Sequence, residues 1–295
     1  MLISRRTLLG ASLLAIPALY SLTAQAAGAA PSSNPSLEQR LAELERRHGG
    51  RLGVAILDTG SQRLITHRGD ERFAMCSTFK ALAVAHVLAR VDRKEEDLSR
   101  LIVYGKEQLV PYSPTTEKHT GEGGLSVRSI CEAAVTLSDN TAANLLLDSS
   151  GGPQGLTDWL RLTGDQVTRL DRREPDLNEN RPGDLQDTTT PIAMAQTLRT
   201  LIFTEVLSDP SRDQLIAWLV SNTTGDQKLR AGLPKRWRVG DKTGSGANNA
   251  SNDVAVIWPT NRAPLIVTVY YTDSNATGEQ INAVIAEVGR WAASV

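Results

Sequence analysis

Hydrophobic residues along the chain follow a strand-like pattern near both ends and a helical pattern through the middle. The short apolar or alternating runs that predict strands cover residues 51–57, 63–67, 236–241, 253–258 and 265–271. Residues 77–219 are mostly of helical period, interrupted by loop signals. This order predicts an α+β fold, in which a five-stranded, mainly antiparallel sheet built from both ends of the chain packs against an all-α lobe.

Two helices at the ends of the chain are predicted to flank this sheet. Ser36 and Gln39 form a capping box before leucines at helical spacing, and the last helix presents one apolar face. The residues of that face are Ile281, Val284, Ile285, Val288 and Trp291. We therefore expect an α/β lobe from residues 34–69 and 220–295, an all-α lobe from residues 70–219, and a cleft between the two.

The run from Ala81 to Ala89 is apolar almost all the way round, which predicts a helix buried on every side. The helix is expected to start at Ser77, and if Ser77 occupies the first turn, Lys80 three residues later projects from the same face. An amine within reach of a hydroxyl at the positive end of a helix is a nucleophile beside a base. The alternative is a serine cap followed by a solvated lysine.

The N-terminal segment has the pattern of an export signal. Arg5 and Arg6 precede an apolar stretch from Leu8 to Ala18, and small residues follow at 24–26. The stretch is too short, and too rich in Ala, Ser, Gly and Pro, to span a membrane. The pattern predicts a cleaved signal peptide of the twin-arginine type over residues 1–26, with export to the periplasm of a Gram-negative bacterium or secretion. An uncleaved anchor is the alternative interpretation.

Composition and charge argue against several classes of partner. The 295 residues are 40% apolar and 22% charged, which is ordinary for a soluble globular protein. A formal net charge of -1 leaves no basic footprint for nucleic acid, and the four histidines and two cysteines lack metal-ligand spacing. We expect a monomer that needs no metal or other cofactor, binds no nucleic acid and has no stable membrane association after processing.

A second candidate for proton chemistry is the segment Ser138-Asp139-Asn140, which lies between two helical runs. In a short turn between helices, Ser138 and Asn140 can face the same way, whereas in a continuous helix they would point apart. Ser138 would then shuttle a proton while Asn140 binds an amide. The alternative is a cluster of helix-capping residues.

A third candidate is Lys242-Thr243-Gly244-Ser245-Gly246, predicted to end one strand and to lead through a turn into the next. Lys242 and Thr243 would bind an anion, and Gly244 would let a ligand approach the backbone. The backbone N–H of Ser245 is expected to join that of Ser77 as an oxyanion hole. The alternative is a glycine hairpin with a surface lysine.

A fourth candidate is the loop from Asp171 to Asp187, which is long for a compact domain. Glu174 and Asn178 within it would hold one water, and Arg172 and Asp187 would clasp its neck through an ion pair. A solvated cluster of charges is the alternative.

Taken together and in this order, the four segments resemble those of a class A serine β-lactamase, from about Ser36 to Trp291. The resemblance implies the β-lactamase/transpeptidase-like fold and hydrolysis of penicillins and cephalosporins through a serine acyl-enzyme. Ser77 would attack, Lys80 or Glu174 would take its proton, and Ser138 would protonate the departing nitrogen. Glu174 and Asn178 would activate the deacylating water.

The resemblance also implies a binding set for the β-lactam substrate. Lys242, Thr243 and Ser245 would hold its carboxylate, Asn140 its acylamino side chain, and Tyr112 would form an aromatic wall at the mouth. Relatives usually place an arginine near the carboxylate, and the corresponding positions here carry Lys228, Ser251 and Asn282. Lys228 is therefore the expected stand-in, with Arg230 less well placed. A lysine offers a point charge where an arginine offers a bidentate fork.

Two rivals share these elements. A penicillin-sensitive peptidase of cell-wall synthesis lacks the Glu/Asn water loop, and a β-lactam sensor stays acylated, so Glu174 and Asn178 argue against both. Turnover of a chromogenic cephalosporin by the purified protein would separate the three. A metal-dependent lactamase would need ligand clusters that the sequence lacks.

Cys76 and Cys131 are predicted to be free thiols. Cys76 abuts the nucleophile, whereas Cys131 lies seven residues before Ser138, about 10 Å along its helix at roughly 1.5 Å per residue. A disulfide needs Cα atoms within roughly 7 Å of each other, so the two cysteines should be too far apart.

Overall fold

A computed structural model describes residues 35–121 and 123–295 of the chain. The signal peptide predicted over residues 1–26 lies outside these residues. The described helices are α1 Leu37–His48, α2 Phe79–Asp92, α3 Val127–Thr136, α4 Asn140–Ser149, α5 Gly152–Leu162, α6 Pro191–Phe203, α7 Asp209–Val220, α8 Leu229–Gly232 and α9 Gly278–Ala292. The described strands are β1 Arg51–Asp58, β2 Leu64–His67, β3 Phe73–Ala74, β4 Leu101–Ile102, β5 Leu125–Ser126, β6 Thr188–Thr189, β7 Arg238–Gly246, β8 Ala250–Trp258 and β9 Leu265–Thr272.

The main sheet has five strands in the order β2-β1-β9-β8-β7. Every neighbouring pair is antiparallel, so strands from the two ends of the chain meet where β1 pairs with β9. The α+β class and the five-stranded sheet predicted from the sequence are confirmed. Two further two-stranded pairs, β3 with β6 and β4 with β5, tie loops together in the helical part of the chain.

The two faces of the sheet are buried by different helices. One face packs with α1, α8 and α9 in a cluster that includes Leu41, Tyr271 and Val288. The other face joins the larger core around α2, which includes Leu82, Leu198 and Tyr270. Residues Ser36–Val295 form one compact unit. The division into lobes at residues 69/70 and 219/220 stays a prediction.

The helix predicted after the nucleophile is buried on every side. All eleven residues from Phe79 to Ala89 are buried, including Lys80 and His86. A 3-10 turn over Cys76–Thr78 leads into α2, so Ser77 lies in this turn and not in the first turn of the α-helix itself. The predicted capping box at Ser36 and Gln39 is present at the start of α1.

Two strand boundaries differ from prediction. The strand expected over residues 236–241 begins at Arg238 and continues to Gly246, and its partner begins at Ala250. Residues 242–246 therefore extend the predicted strand, because Gly244 pairs with Asn252 and Gly246 pairs with Ala250 in the ladder. Only residues 247–249 turn the chain, and Asn248 and Asn249 supply the positive φ of 54° there.

Both cysteines are free and buried, as predicted. Burial raises the pKa of the Cys76 thiol to about 12 and also raises the pKa of Cys131. Among the described residues, no helix is long and apolar enough to cross a membrane. The described side chains also include no cluster of three or more potential metal ligands.

Candidate active site

Ser77 is held against the end strand of the main sheet. The 3-10 turn that carries it packs on β7 and β8, and Asn252 Nδ2 donates to the carbonyl oxygens of Ala74 and Met75 at 3.0 Å each. A Cβ on Gly244 would lie 2.7 Å from the Met75 carbonyl oxygen. This glycine therefore lets the chain's own backbone approach the strand, and Gly244 also lines the cleft, where the approach of a ligand stays a prediction.

Gly246 serves the same purpose two residues further along β7. A Cβ there would lie 2.7 Å from Cys76 Sγ and 2.8 Å from the Asn178 carbonyl oxygen. The two glycines thus bring the nucleophile turn and the loop of Asn178 onto one strand.

Lys80 is the centre of the site's hydrogen bonding, and its side chain is 0% exposed. Its Nζ pairs with Glu174 Oε1 at 3.0 Å and donates to Asn140 Oδ1 at 2.5 Å. It also donates to the Ser138 carbonyl oxygen at 2.8 Å and lies 3.4 Å from Ser138 Oγ. Burial lowers the pKa of Lys80, while the charge of Glu174 opposes that shift. One buried cation therefore joins three separate chain segments.

Ser138 and Asp139 lie in the turn between α3 and α4, Asn140 is the first residue of α4, and Ser138 has a φ of 60°. As the sequence predicted for a turn, Ser138 and Asn140 both contact Lys80. Asn140 Nδ2 donates to the Pro111 carbonyl oxygen at 2.8 Å, so the asparagine also holds the loop that carries Tyr112.

Asp139, which belongs to the alternative interpretation of this segment as a cluster of helix-capping residues, is fully buried below the turn. Its carboxylate accepts from the backbone N–H groups of Thr115, Thr116 and Ala142 and from the Thr116 hydroxyl, at 2.8 to 2.9 Å. The same carboxylate therefore caps α4 and holds the loop of Thr115 and Thr116.

Glu174 brings the long loop to the nucleophile. Its side chain is 0% exposed, and Ser77 Oγ donates to Glu174 Oε1 at 3.1 Å. Asn178 Nδ2 donates to Glu174 Oε2 at 2.5 Å from a 3-10 turn over Asp176–Asn178. Asn178 Oδ1 is buried and accepts no hydrogen bond from the described residues, so it is available to accept one from a small molecule in the site.

Two clasps hold the loop in place. Asn144 on α4 brackets the backbone of Glu174, donating to its carbonyl oxygen at 2.9 Å and accepting from its N–H at 3.0 Å. At the neck, Arg172 Nε donates to Asp187 Oδ2 at 2.5 Å, which confirms the predicted ion pair. Asp187 also accepts from the backbone N–H groups of Asp171 and Arg172 at 2.8 Å.

Lys242 occupies the opposite side of Ser138. Its buried Nζ donates to Ser138 Oγ at 3.1 Å and to the Thr243 carbonyl oxygen at 2.8 Å. Burial, followed by the nearby charge of Lys80, lowers the pKa of Lys242 to about 7. Ser138 Oγ thus lies between two lysine amines, which is a suitable position for relaying a proton.

Lys228 and Arg230 differ in what they face. Lys228 Nζ donates to Ser251 Oγ and lines the cleft beside Thr243. Arg230 instead donates to Asp241 Oδ1 at 2.6 Å and to the carbonyl oxygens of Leu219 and Val220. Its cationic group is therefore engaged with the protein's own acceptors.

The predicted residues meet at one cleft of about 410 Å³, with Tyr112 62% exposed at its mouth. Lys80, Glu174 and Lys242 lie buried beneath it. The cleft is lined by Ser77, Tyr112, Ser138, Asn140, Asn178, Thr224, Lys228, Thr243, Gly244 and Ser245. A cavity of about 470 Å³ lies elsewhere, between residues 163–167 and α6. None of the residues predicted for the site from the sequence lines that cavity.

Sequence reasoning missed the residues that hold the reactive ones in place. Asn144 had a detectable signal, because it follows Asn140 by four residues and so lies on the same face of α4. Asn252 had no such signal, because its partners Ala74 and Met75 are far away in sequence.

Known proteins share both the sequence and the structure. A model of the β-lactamase enzyme family matches residues 36–294. The chain is 51% identical over 253 residues to β-lactamase AST-1 of Nocardia asteroides, which covers 86% of this chain and 81% of that one. It is 44% identical over 282 residues to β-lactamase CTX-M-97 of Escherichia coli, covering 96% of both.

Solved structures that resemble this chain are also those of class A β-lactamases. An ancestral class A β-lactamase is 64% identical with a TM-score of 0.85, covering 86% of this chain and 98% of that one. A putative class A β-lactamase, PenP, from Rhodopseudomonas palustris is 58% identical with a TM-score of 0.87, covering 88% and 99%.

Proposed function

The chain belongs to the class A serine β-lactamases, and on that premise we propose that it hydrolyses the β-lactam amide of penicillins and cephalosporins through an acyl-enzyme on Ser77. Such hydrolysis destroys the antibiotic and confers resistance. The observation that carries the proposal is the Glu174 carboxylate, which contacts the Ser77 hydroxyl through one oxygen and the Asn178 amide through the other. A peptidase or a sensor that stays acylated has no need of this second contact.

Acylation begins when Ser77 Oγ attacks the lactam carbonyl carbon. Its proton leaves to Glu174, whose Oε1 lies 3.1 Å away, or to Lys80 once the Lys80 ammonium has passed a proton to Glu174 across their 3.0 Å contact. The carbonyl oxygen becomes an oxyanion stabilised by the backbone N–H groups of Ser77 and Ser245, each contributing about 3 to 4 kcal/mol. The C–N bond then breaks, and Ser138 protonates the departing nitrogen while Lys80 and Lys242 replenish its proton.

Deacylation needs a water that attacks the ester carbonyl of the acyl-enzyme. Glu174 takes a proton from this water, and Asn178 Oδ1, which accepts nothing from the described residues, orients it. The Ser77–carbonyl bond breaks, and Ser77 Oγ recovers its proton as the opened product leaves.

Substrate binding rests on cations that lack carboxylate partners. Among the salt bridges of the described residues, none involves Lys228 or Lys242, although both are buried. These two amines, the Thr243 hydroxyl and Ser245 bind the lactam carboxylate. Asn140 binds the acylamino side chain, Gly244 keeps the strand close to Ser77, and Tyr112 forms the wall at the mouth.

We further propose export of a monomer by the twin-arginine signal, to the periplasm or the medium. This rests on the pattern around Arg5 and Arg6 and on the usual export of this class of enzyme. We also propose two lobes that meet along the cleft. One is formed by residues 34–69 and 220–295, and the other by residues 70–219.

Glu174→Ala should trap the acyl-enzyme. Lys80 can still activate Ser77, whereas the hydrolytic water loses its base. Mass spectrometry after mixing with a penicillin should find protein heavier by one intact penicillin, with the adduct on the peptide that contains Ser77. Ser77→Ala should show no adduct. Rapid steady turnover by Glu174→Ala without an adduct would remove the role of Glu174, and an equally long-lived adduct on the unaltered protein would favour the peptidase or the sensor.

Lys228→Met should raise KM about tenfold, corresponding to about 1.4 kcal/mol, with little change in kcat. The charge meets a carboxylate that is present in both substrate and transition state, so its loss weakens binding uniformly. Lys228→Arg should retain affinity, and Lys235→Met removes an exposed lysine outside the cleft as the matched control. A collapse of kcat at constant KM, or the same KM effect from Arg230→Ala alone, would contradict this role.

Affinity for the substrate should fall as pH rises through about 7, because the buried Lys242 then loses its proton and its charge. The lactam carboxylate stays ionised, since carboxyl pKa values lie near about 4. KM for a penicillin should therefore rise between about pH 6 and pH 9. Lys242→Arg stays protonated throughout and should flatten this rise. If KM rises with pH in Lys242→Arg as it does in the unaltered enzyme, the titrating group is not Lys242.

A further inference from the structure

Asp253 on β8 has a carboxyl group that the catalytic scheme does not use. The residue is fully buried, and Asp253 Oδ2 accepts from the backbone N–H of Leu229 at 3.0 Å. Its other oxygen, Oδ1, receives no hydrogen bond from any donor of the described residues. An ionised carboxylate left in this state would carry a large desolvation cost.

The neighbour of this carboxyl is a second one. Asp253 pairs with Thr243 across the ladder, and Asp241 precedes Thr243 by two residues, so both aspartates lie on the same face of the sheet. Each carboxyl group is close enough to the other to affect its pKa. Two adjacent ionised carboxylates would repel strongly in a buried site.

Asp241 has the better partners for a negative charge, although burial raises its pKa as well. Its Oδ1 accepts from Arg230 Nε at 2.6 Å, and its Oδ2 accepts from Asn222 Nδ2 at 2.8 Å. Asp253 has no cation within ion-pair distance among the described residues. Burial and then the charge of Asp241 raise the pKa of Asp253 well above its usual value.

We propose that Asp253 is a neutral carboxylic acid that positions Lys228. Its O–H group donates a hydrogen bond to Asp241, and its other oxygen accepts one from the backbone N–H of Leu229. Leu229 directly follows Lys228, so the acid fixes the backbone from which the lysine side chain enters the cleft. Lys228 Nζ then reaches Ser251 Oγ, two residues before Asp253 on the same strand face. The inference rests on the proposed role of Lys228 in binding the substrate carboxylate.

The protonation state of Asp253 also affects the net charge around Lys228 in the cleft. Arg230 neutralises Asp241, and a protonated Asp253 carries no charge that could pair with the Lys228 ammonium. Burial lowers the pKa of Lys228, and among the described residues this amine has no carboxylate in a salt bridge, which leaves it to pair with the substrate. An ionised Asp253 would instead compensate Lys228 and weaken its attraction for a second carboxylate.

Replacement of Asp253 by asparagine tests the assignment, because an amide also combines one donor with one acceptor. Asp253→Asn should keep KM for a penicillin within about twofold of the unaltered enzyme. Asp253→Ala should raise KM about tenfold while kcat changes far less. Equal KM effects in the two variants would overturn the proposal, since an asparagine would then fail to replace the acid.

Stability controls separate positioning from folding. Asp165→Ala removes a carboxylate that accepts three hydrogen bonds next to the other cavity, so it should lower Tm without raising KM. A KM rise in Asp165→Ala that matches Asp253→Ala at equal loss of Tm would assign the effect to general destabilisation and overturn the positioning role.

Infrared spectroscopy tests the proton directly and does not depend on turnover. At neutral pH the enzyme should show the C=O stretching band of a protonated carboxyl group. The band should persist in Lys228→Met and disappear in Asp253→Asn. Its absence from the unaltered enzyme would overturn the proposal. An unchanged KM in Lys228→Met, with the band present, would instead remove the proposed role of Lys228 and leave the proton on Asp253 established.

Discussion

The buried ammonium of Lys80 is the constraint on which the site depends. A charge that is wholly removed from water costs several kcal/mol unless it is paired and hydrogen-bonded. Lys80 meets that requirement with acceptors from two other segments, the turn at Ser138–Asn140 and the loop that carries Glu174. Each segment must therefore adopt one position relative to α2. The same contacts place the nucleophile, the proton relay and the hydrolytic base within reach of one another.

The surrounding structure keeps these contacts in one geometry. Asn144 brackets the backbone of Glu174, and the Arg172–Asp187 pair closes the loop behind it. On the other side, Gly244 and Asn252 press the strand against the turn of Ser77. The reactive groups are thus supported by secondary structure on both sides, which is what electrostatic preorganisation requires. Asp241 on β7 and Asp253 on β8 extend this support to Lys228, on the side of the cleft where the substrate carboxylate is proposed to bind.

Local signals predicted much of this arrangement. Alternation and helical period gave the five strands and the buried helix, and a capping box marked the start of α1. The hydrophobic pattern ends β7 at residue 241 and not at Gly246, because glycine weakens a strand signal when the ladder partner is unknown. Asn252 and Asp253 could not be interpreted from sequence, since their partners are brought close only by the fold. The residue roles in catalysis remain predictions that kinetics must test.

The central claim is that the charge of Lys80 organises both halves of the reaction. Its most direct test is stopped-flow measurement of acylation and deacylation rates for Lys80→Met with a chromogenic cephalosporin, beside Glu174→Ala. The account predicts that Lys80→Met slows both steps by about a hundredfold or more, whereas Glu174→Ala mainly stops the second. Acylation of Lys80→Met at the rate of the unaltered enzyme would contradict it.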